Sequence, residues 1–432
     1  MRRLLVLCYF YPPLGGGGVH RVLGFTRHLP RHGWECTVVC ADAQDYWVVD
    51  ESLLARVPSG TEVIRVPGGS ALSAWLRLRR GALGRRPTRT FEGLRLLSDW
   101  WLIPDSYAGW SRRARAAAER RVRRGGFDAM LSSSPPDSVH LAARAVHRRF
   151  GLPWVADFRD PWVGLHFREP PSAWHRARHA ALERAVLEGA DVVLTASRTH
   201  AEGIGGRSGS RPRRVIHLPN GFEPWDGPEA PADPARAPAA GDRDRFQLLF
   251  TGTLSQMPDA EVFLEALHDW FARSPEARRR VRARFAGPYE TGYEDRSIAL
   301  GLKGIVEFLG PRPHAETRAL QAQADALLLW KPRNYPTMVP GKLYEYLDSG
   351  RPILAALPGD DEAASLVASA GGEIVALGDR AALASSLERR YREWKTGAAP
   401  PSGRPGWLAG HTRARLAERL AGVLDELAGG VP

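Results

Sequence analysis

Residues 330–354 read Trp330-Lys331-Pro332-Arg333-Asn334-Tyr335-Pro336-Thr337-Met338-Val339-Pro340-Gly341-Lys342-Leu343-Tyr344-Glu345-Tyr346-Leu347-Asp348-Ser349-Gly350-Arg351-Pro352-Ile353-Leu354. An apolar run over 326–330 enters this stretch and has the pattern of a buried strand. A loop interrupted by prolines follows and carries Lys331 and Arg333. Pro340 and Gly341 open a short helix over 342–347, which Gly350 ends in the C′ position and Pro352 keeps from resuming. A second apolar run, 353–357, is the next strand. In an α/β sheet, a helix that starts after such a loop points its first N–H groups at the crevice above the strand ends. That crevice suits an anion by hydrogen bonding and by dipole. Lys342 adds a full charge in the first turn, and Glu345 follows three residues on along the same face. A cation beside N–H groups suits a diphosphate, and a nearby carboxylate suits ribose hydroxyls. An ordinary βαβ connection with a solvated Lys and Glu gives the same pattern, so the loop alone leaves both readings open.

The segment 340–347 followed by 350–354 resembles the nucleotide-sugar site of glycosyltransferase family 4. The resemblance implies a retaining enzyme with an α/β fold of the GT-B type. Such a fold has two Rossmann-like doubly wound domains facing an interdomain cleft, and a C-terminal helix crossing back to the N-terminal domain. It places the ribose-binding glutamate, the second of a Glu–seven residues–Glu motif, on Glu345. The first glutamate of that motif falls on Thr337, so half of the motif is missing.

At 432 residues the chain has room for two or three domains and a substantial core. No apolar run approaches the roughly 20 residues that span a bilayer. Arg2 and Arg3 before an apolar run mimic a secretion signal, but the run stops at Pro12-Pro13 with no small-residue cleavage site. A first β-strand is the better reading. Cys8, Cys36 and Cys40 are odd in number and lack metal-ligand spacing, which points to buried thiols in a reducing compartment and a cytoplasmic protein. The net charge of +12 comes from arginine, much of it between Arg77 and Arg124. Such a basic face can meet nucleic acid, anionic lipid or an acidic acceptor. No zinc-finger spacing, RNP sequence or helix-turn-helix accompanies it, so a nucleic-acid partner is not expected.

Residues 4–10 form a continuous apolar strand, a glycine-rich loop containing Gly16 and Gly17 follows, and 19–31 read as an amphipathic helix capped by Gly33 before strand 34–40. Glycines let backbone N–H groups come close to a ligand, and the resemblance has this loop face the sugar diphosphate. A dinucleotide fingerprint fails here: its last glycine falls on His20 or Arg21. Residues 70–125 read as a helical insert in which Trp75, Trp100, Trp101 and Trp110 interleave with arginines. It is either a solvated packed insert or a face for an acceptor or an anionic membrane. Strand 127–132 and helix 138–150, capped by Ser134 or Asp137, restore the α/β order. Strand 152–158 ends in Asp157-Phe158-Arg159-Asp160-Pro161-Trp162, which resembles a family 4 subgroup. Charged residues at the carboxyl end of a parallel strand point into the crevice. Asp157, Arg159 and Asp160 are therefore catalytic candidates, Arg159 standing where many relatives carry a histidine. The plain alternative is a helix cap paired with Arg159.

These patterns divide the chain into an acceptor-side domain over 1–222, a linker over 223–244, a nucleotide-sugar domain over 245–405 and a crossing helix over 406–432. The second domain opens with strand 246–251 and Gly252-Thr253. In relatives an Arg and, six residues later, a Lys hold the diphosphate here; this chain has Thr253 and Asp259 instead. The expected donor-binding residues are Gly16, Gly17, Gly252, Thr253, Lys331, Arg333, Lys342 and Glu345, with Lys342 also catalytic. No metal and no cofactor are expected besides a nucleoside-diphosphate sugar as co-substrate, since no Asp-x-Asp stands beside a strand end. The expected activity is retaining transfer of a sugar to a lipid-linked, polysaccharide or natural-product acceptor, with peripheral contact at the inner membrane face. The alternatives are a catalytically degenerate nucleotide- or sugar-binding member, an NAD(P) oxidoreductase, and a basic scaffold on lipid or nucleic acid.

Overall fold

The structure is a computed structural model that describes residues 1–42, 49–68, 100–164, 170–206, 209–225, 244–254, 257–333, 335–398 and 404–429. The linker expected over 223–244 and the arginines of the insert before residue 100 lie for the most part outside the described residues. The chain forms two units, Met1–Asn220 with Arg413–Pro432, and Gly221–Thr412.

In the first unit, strands β1 (Arg2–Cys8), β2 (Trp34–Ala41), β3 (Glu62–Val66), β4 (Ala129–Ser134), β5 (Trp154–Phe158), β6 (Val192–Thr195) and β7 (Val215–His217) form one sheet. Their order is β3-β2-β1-β4-β5-β6-β7 and every pairing is parallel. Leu4, Leu5, Val6 and Leu7 are all fully buried, because helices cover both faces of a parallel sheet and consecutive residues must then be apolar. The order reverses between β1 and β4, so the loops leaving these two strands part and open a crevice at their carboxyl ends.

Helices α1 (His20–His28), α2 (Ala108–Val122), α3 (Ser138–Phe150), α4 (Ala173–Leu187) and α5 (Arg198–Gly203) connect the strands. The single helix expected over 19–31 ends at His28 and tightens into a 3₁₀ turn, Leu29–His32, because Pro30 cannot donate the next helical bond. Neither Ser134 nor Asp137 caps α3. Asp105 does so from another part of the chain, accepting from the Ser138 N–H at 2.8 Å and from its hydroxyl at 2.9 Å.

In the second unit, β8 (Phe246–Thr251), β9 (Val281–Ala286), β10 (Val306–Gly310), β11 (Ala326–Trp330), β12 (Ile353–Ala356) and β13 (Glu373–Val375) form a parallel sheet in the order β10-β9-β8-β11-β12-β13. Its reversal falls between β8 and β11. Helices α6 (Pro258–Arg273), α7 (Pro275–Arg280), α8 (Thr291–Ala299), α9 (His314–Gln323), α10 (Gly341–Ser349), α11 (Glu362–Ser369) and α12 (Arg380–Thr396) lie between the strands. The sequence patterns missed α7, α8 and α11, which are short.

The final helix expected over 407–427 is two elements. A 3₁₀ turn, Gly406–His411, belongs to the second unit, and extended Thr412 separates it from α13 (Arg413–Gly429). Leu416, Ala417, Leu420, Ala421 and Leu424 of α13 are buried in the first unit. There α13 crosses α1 at Gly24, where a Cβ would lie 2.6 Å from the Arg413 side chain, so only glycine admits this approach.

Candidate functional site

The loops that leave β8 and β11 flank the switch point of the second sheet. Helix α10 starts there with Pro340 as N-cap and no side-chain cap; the Leu343 N–H turns back to Pro340 O at 2.9 Å, while among the described residues those of Gly341 and Lys342 meet no acceptor. Lys342 reaches from this first turn across to β8, where its ammonium donates to Thr251 O at 2.8 Å and lies 3.4 Å from the Phe250 ring centroid. It is half-buried and, among the described residues, has no carboxylate partner. Burial without a counter-charge pushes its ammonium well below the ordinary lysine value, a state that an arriving anion would relieve. Gly252 sits directly beneath, since a Cβ on it would lie 3.5 Å from Lys342 Nζ. Gly252 itself packs so closely on Gly287 that a Cβ on Gly287 would lie 2.2 Å from the Gly252 carbonyl. Gly252 and Thr253 are both exposed at the mouth of this crevice.

Glu345 is one turn further along α10 and 9% exposed. Its Oε1 is 3.0 Å from His314 Nε2, and its Oε2 accepts from Gln321 Nε2 at 3.4 Å. Gln321 also donates to Thr251 Oγ1 at 3.2 Å, and Arg318 donates to the Glu345 carbonyl at 2.8 Å while pairing with Asp348. Helix α9 thus supplies three side chains, His314, Arg318 and Gln321, that fix α10. Sequence reasoning missed them. The readable signal was a polar side chain every three to four residues, starting at the first position of a helix that follows a parallel strand.

The two other cations expected here have different surroundings. Lys331 is 2% exposed and pairs with Asp361, while its remaining donors go to Pro336 O at 3.2 Å and Met338 O at 2.9 Å. With all three ammonium hydrogens used inside the unit, Lys331 shapes the 332–340 loop and is not placed to hold a ligand. Arg333 is exposed. Its Nε and Nη2 donate to Asp259 at 3.0 and 2.8 Å, which raises its pKa.

In the first unit Gly16 and Gly17 are exposed, with no heavy atom within 4 Å of where a Cβ would stand, and Gly16 has φ +85°. Arg159 ties this loop across the β1/β4 switch point, donating to Gly18 O on one side and to Ser134 O at 2.5 Å on the other. Burial lowers its pKa, opposed by Asp160 and Asp157. Asp160 is half-buried beside it. Asp157 does not face a crevice. It is fully buried in a bidentate pair with Arg21, at 2.7 and 2.9 Å, and accepts from Ser133 Oγ at 2.7 Å. Burial alone would raise its pKa; Arg21 and Ser133 more than reverse that and hold the carboxyl below the usual range. The expectation that Asp157 is a catalytic residue pointing into the crevice is thus replaced by a buried counter-ion. Arg21, the other half, carries no signal in sequence beyond a charge on an apolar helix face.

Cys8, Cys36 and Cys40 are buried free thiols. Among the described residues no three His, Cys, Asp or Glu side chains gather as a metal site, and no helix is long and apolar enough to cross a membrane. Of the insert's tryptophans, Trp110 is buried in the first unit's core, whereas Trp100 and Trp101 are exposed, as is Trp174 at the start of α4.

The two parallel-sheet units define an α/β fold of the GT-B type, and comparisons with solved structures agree. Sucrose-phosphate synthase from Thermosynechococcus elongatus is similar with a TM-score of 0.66 at 16% identity, over 99% of this chain and 100% of that one. The UDP-forming α,α-trehalose-phosphate synthase from Burkholderia vietnamiensis gives 0.65 at 14% identity, over 100% of both chains. HepE of Anabaena in complex with UDP-glucose gives 0.62 at 14% identity, over 99% and 100%. Residues 16–221 match the family model described as Glycosyl transferase 4-like domain. No curated protein matches the sequence.

Proposed function

We propose that the protein is a retaining glycosyltransferase. It would move a sugar from a nucleoside diphosphate to a nucleophile, most simply a hydroxyl, of a lipid-linked, polysaccharide or natural-product acceptor. The observation that carries this reading is Lys342, an ammonium without a carboxylate partner among the described residues, set over the β8/β11 switch point in the first turn of α10. The glycosyl transferase 4-like match over 16–221 and the likeness to HepE with UDP-glucose favour the same reading.

In such a transfer the leaving group is a diphosphate and the transition state resembles an oxocarbenium ion. Little covalent chemistry is asked of the protein. Positioned cations and N–H dipoles aimed at the departing oxygens lower the barrier. Lys342 and the α10 N-terminus face the diphosphate in this reading, Glu345 takes the ribose, and Gly252 and Thr253 line the approach. In this reading the Gly16–Gly17 loop is the first unit's contact with the donor, and Arg159 and Asp160 serve the acceptor. That unit holds the surplus of arginine, while in the second acids slightly outnumber bases. With exposed Trp101 and Trp174, it suits an anionic acceptor or membrane surface.

Release of nucleoside diphosphate from a panel of UDP-, GDP-, dTDP- and ADP-sugars tests the reading. Turnover of one donor is the expected result. Nucleoside diphosphate binding with no donor turned over would instead mark a degenerate member, and quenching of bound NADH fluorescence an oxidoreductase. Because Lys342 and Arg333 bring positive charge to the switch point, turnover should be unchanged by EDTA. Loss in EDTA with recovery in magnesium or manganese would overturn that expectation.

Glu345→Gln should mainly weaken nucleoside diphosphate binding, by about 1.5–3 kcal/mol, the worth of a charge-assisted hydrogen bond. The amide oxygen can still accept from His314, and only the long contact from Gln321 loses its acceptor, so the fold should survive. Unchanged nucleotide affinity in calorimetric titration would show that the ribose lies elsewhere.

A further inference from the structure

We propose that Asp259 is a positioning residue for diphosphate binding: its buried carboxylate fixes Arg333 so that the guanidinium's outer N–H groups meet phosphate oxygens at the β8/β11 switch point. The proposal rests on the donor-binding reading above and adds a role that an acid at this place would not suggest.

Asp259 is the second residue of α6, at the end of the loop that leaves β8, and is 1% exposed. Arg333 is three residues beyond β11. Their pair joins the two loops that bound the switch point, with Nε to Oδ2 at 3.0 Å and Nη2 to Oδ1 at 2.8 Å. The Gly378 N–H donates to the same Oδ1 at 2.9 Å. Gly378 also makes room for the guanidinium, since a Cβ there would lie 3.1 Å from Nη2.

The pair is asymmetric: the acid is enclosed, while the Arg333 side chain is 41% exposed. Its outward face is therefore the cation. The Asp259 contacts use Nε and one edge of Nη2; among the described residues nothing takes Nη1. A guanidinium whose fork is already anchored loses little rotamer freedom on meeting a second anion. A planar donor edge held in one orientation at the ligand crevice of a parallel sheet is what bidentate recognition of a phosphate needs.

The test compares the full-length protein with Asp259→Asn, Arg333→Gln, the double variant and Gly378→Ala, by calorimetric titration of inorganic pyrophosphate and by donor turnover. Asn keeps an acceptor for the Gly378 N–H, so the fold should persist; a thermal melt checks this. Asp259→Asn removes a negative charge, yet it should weaken pyrophosphate binding about tenfold, and Arg333→Gln by a similar factor. The double variant should be no worse than Arg333→Gln, because the acid acts only through the arginine. Gly378→Ala, which crowds Nη2 and leaves the acid in place, should weaken binding too, and donor KM should rise in all four. Unchanged or tighter binding in Asp259→Asn, additive losses in the double variant, or a wild type that does not bind pyrophosphate overturns the proposal. A lowered melting temperature with unchanged affinity also overturns it, since the pair is then only a staple between loops. Loss of pyrophosphate binding in a protein that turns over no sugar donor would support this inference while refuting the transferase reading.

Discussion

Lys342→Ala should lower turnover by about 2–4 kcal/mol in the barrier, and by more than it weakens donor binding. Negative charge on the departing diphosphate grows as the glycosidic bond breaks, so a fixed cation stabilises the transition state more than the ground state. The Lys342 ammonium is fixed, by Thr251 O at 2.8 Å and by the Phe250 ring beneath it. Arg and Lys are absent at positions 253 and 259, occupied by Thr253 and Asp259, and Lys331 is tied to Asp361. The loss should accordingly exceed that in a protein with more cations at the site. Burial depresses the Lys342 pKa, so nucleoside diphosphate affinity should fall as pH rises through that depressed value, where the ammonium loses its proton. Lys342→Ala should abolish this pH dependence. Measuring kcat, KM and nucleotide affinity for both proteins across pH settles it. A variant that turns over normally would place the diphosphate elsewhere, even with the fold unchanged.

Asp157→Ala should destabilise the first unit by about 3–5 kcal/mol, the cost of leaving one member of a buried ion pair without its partner. Arg21 is 3% exposed, and neither Pro219 O, which accepts from it at 2.6 Å, nor the Phe25 ring beside it neutralises the guanidinium. Exchanging both partners, Arg21→Met with Asp157→Leu, should cost much less, since no buried charge is then stranded. The Asp157 carboxyl has a folded pKa below its unfolded value. Its contribution is therefore fully present above the unfolded carboxylate pKa and is lost as pH falls through the folded one. Urea unfolding of the single and double variants at neutral and acid pH measures both effects. A single-variant loss under about 1 kcal/mol would mean that water reaches the pair.

Much of the site's scaffold was legible locally. The apolar runs 326–330 and 246–251 became β11 and β8 with the bounds read from hydrophobicity alone, because a strand covered on both faces has no polar position to blur its ends. Gly350 ended α10 in the left-handed conformation its lack of Cβ permits, at φ +65°. Lys342 was placed in the first turn of α10, and Glu345 on the same helix, because that spacing lies within one helical turn.

What sequence could not supply were pairings between residues far apart in the chain. Asp259 read as a charge in the wrong place, yet in three dimensions it lies against Arg333, 74 positions away. Lys331 and Arg333 looked equivalent; folding enclosed the first beside Asp361 and left the second exposed, and nothing in the local pattern distinguishes them. Asp157 had the signature of a crevice residue, and only the packing of α1 against β5 brought Arg21 onto it and closed it off. The physical reason is common to these cases. Strand and helix periodicity depend on neighbours within a turn or a pleat, which the sequence by itself determined. Whether a charge is a ligand-binding group, a counter-ion or an anchor depends on its solvation and its partner, and only the tertiary structure decided those.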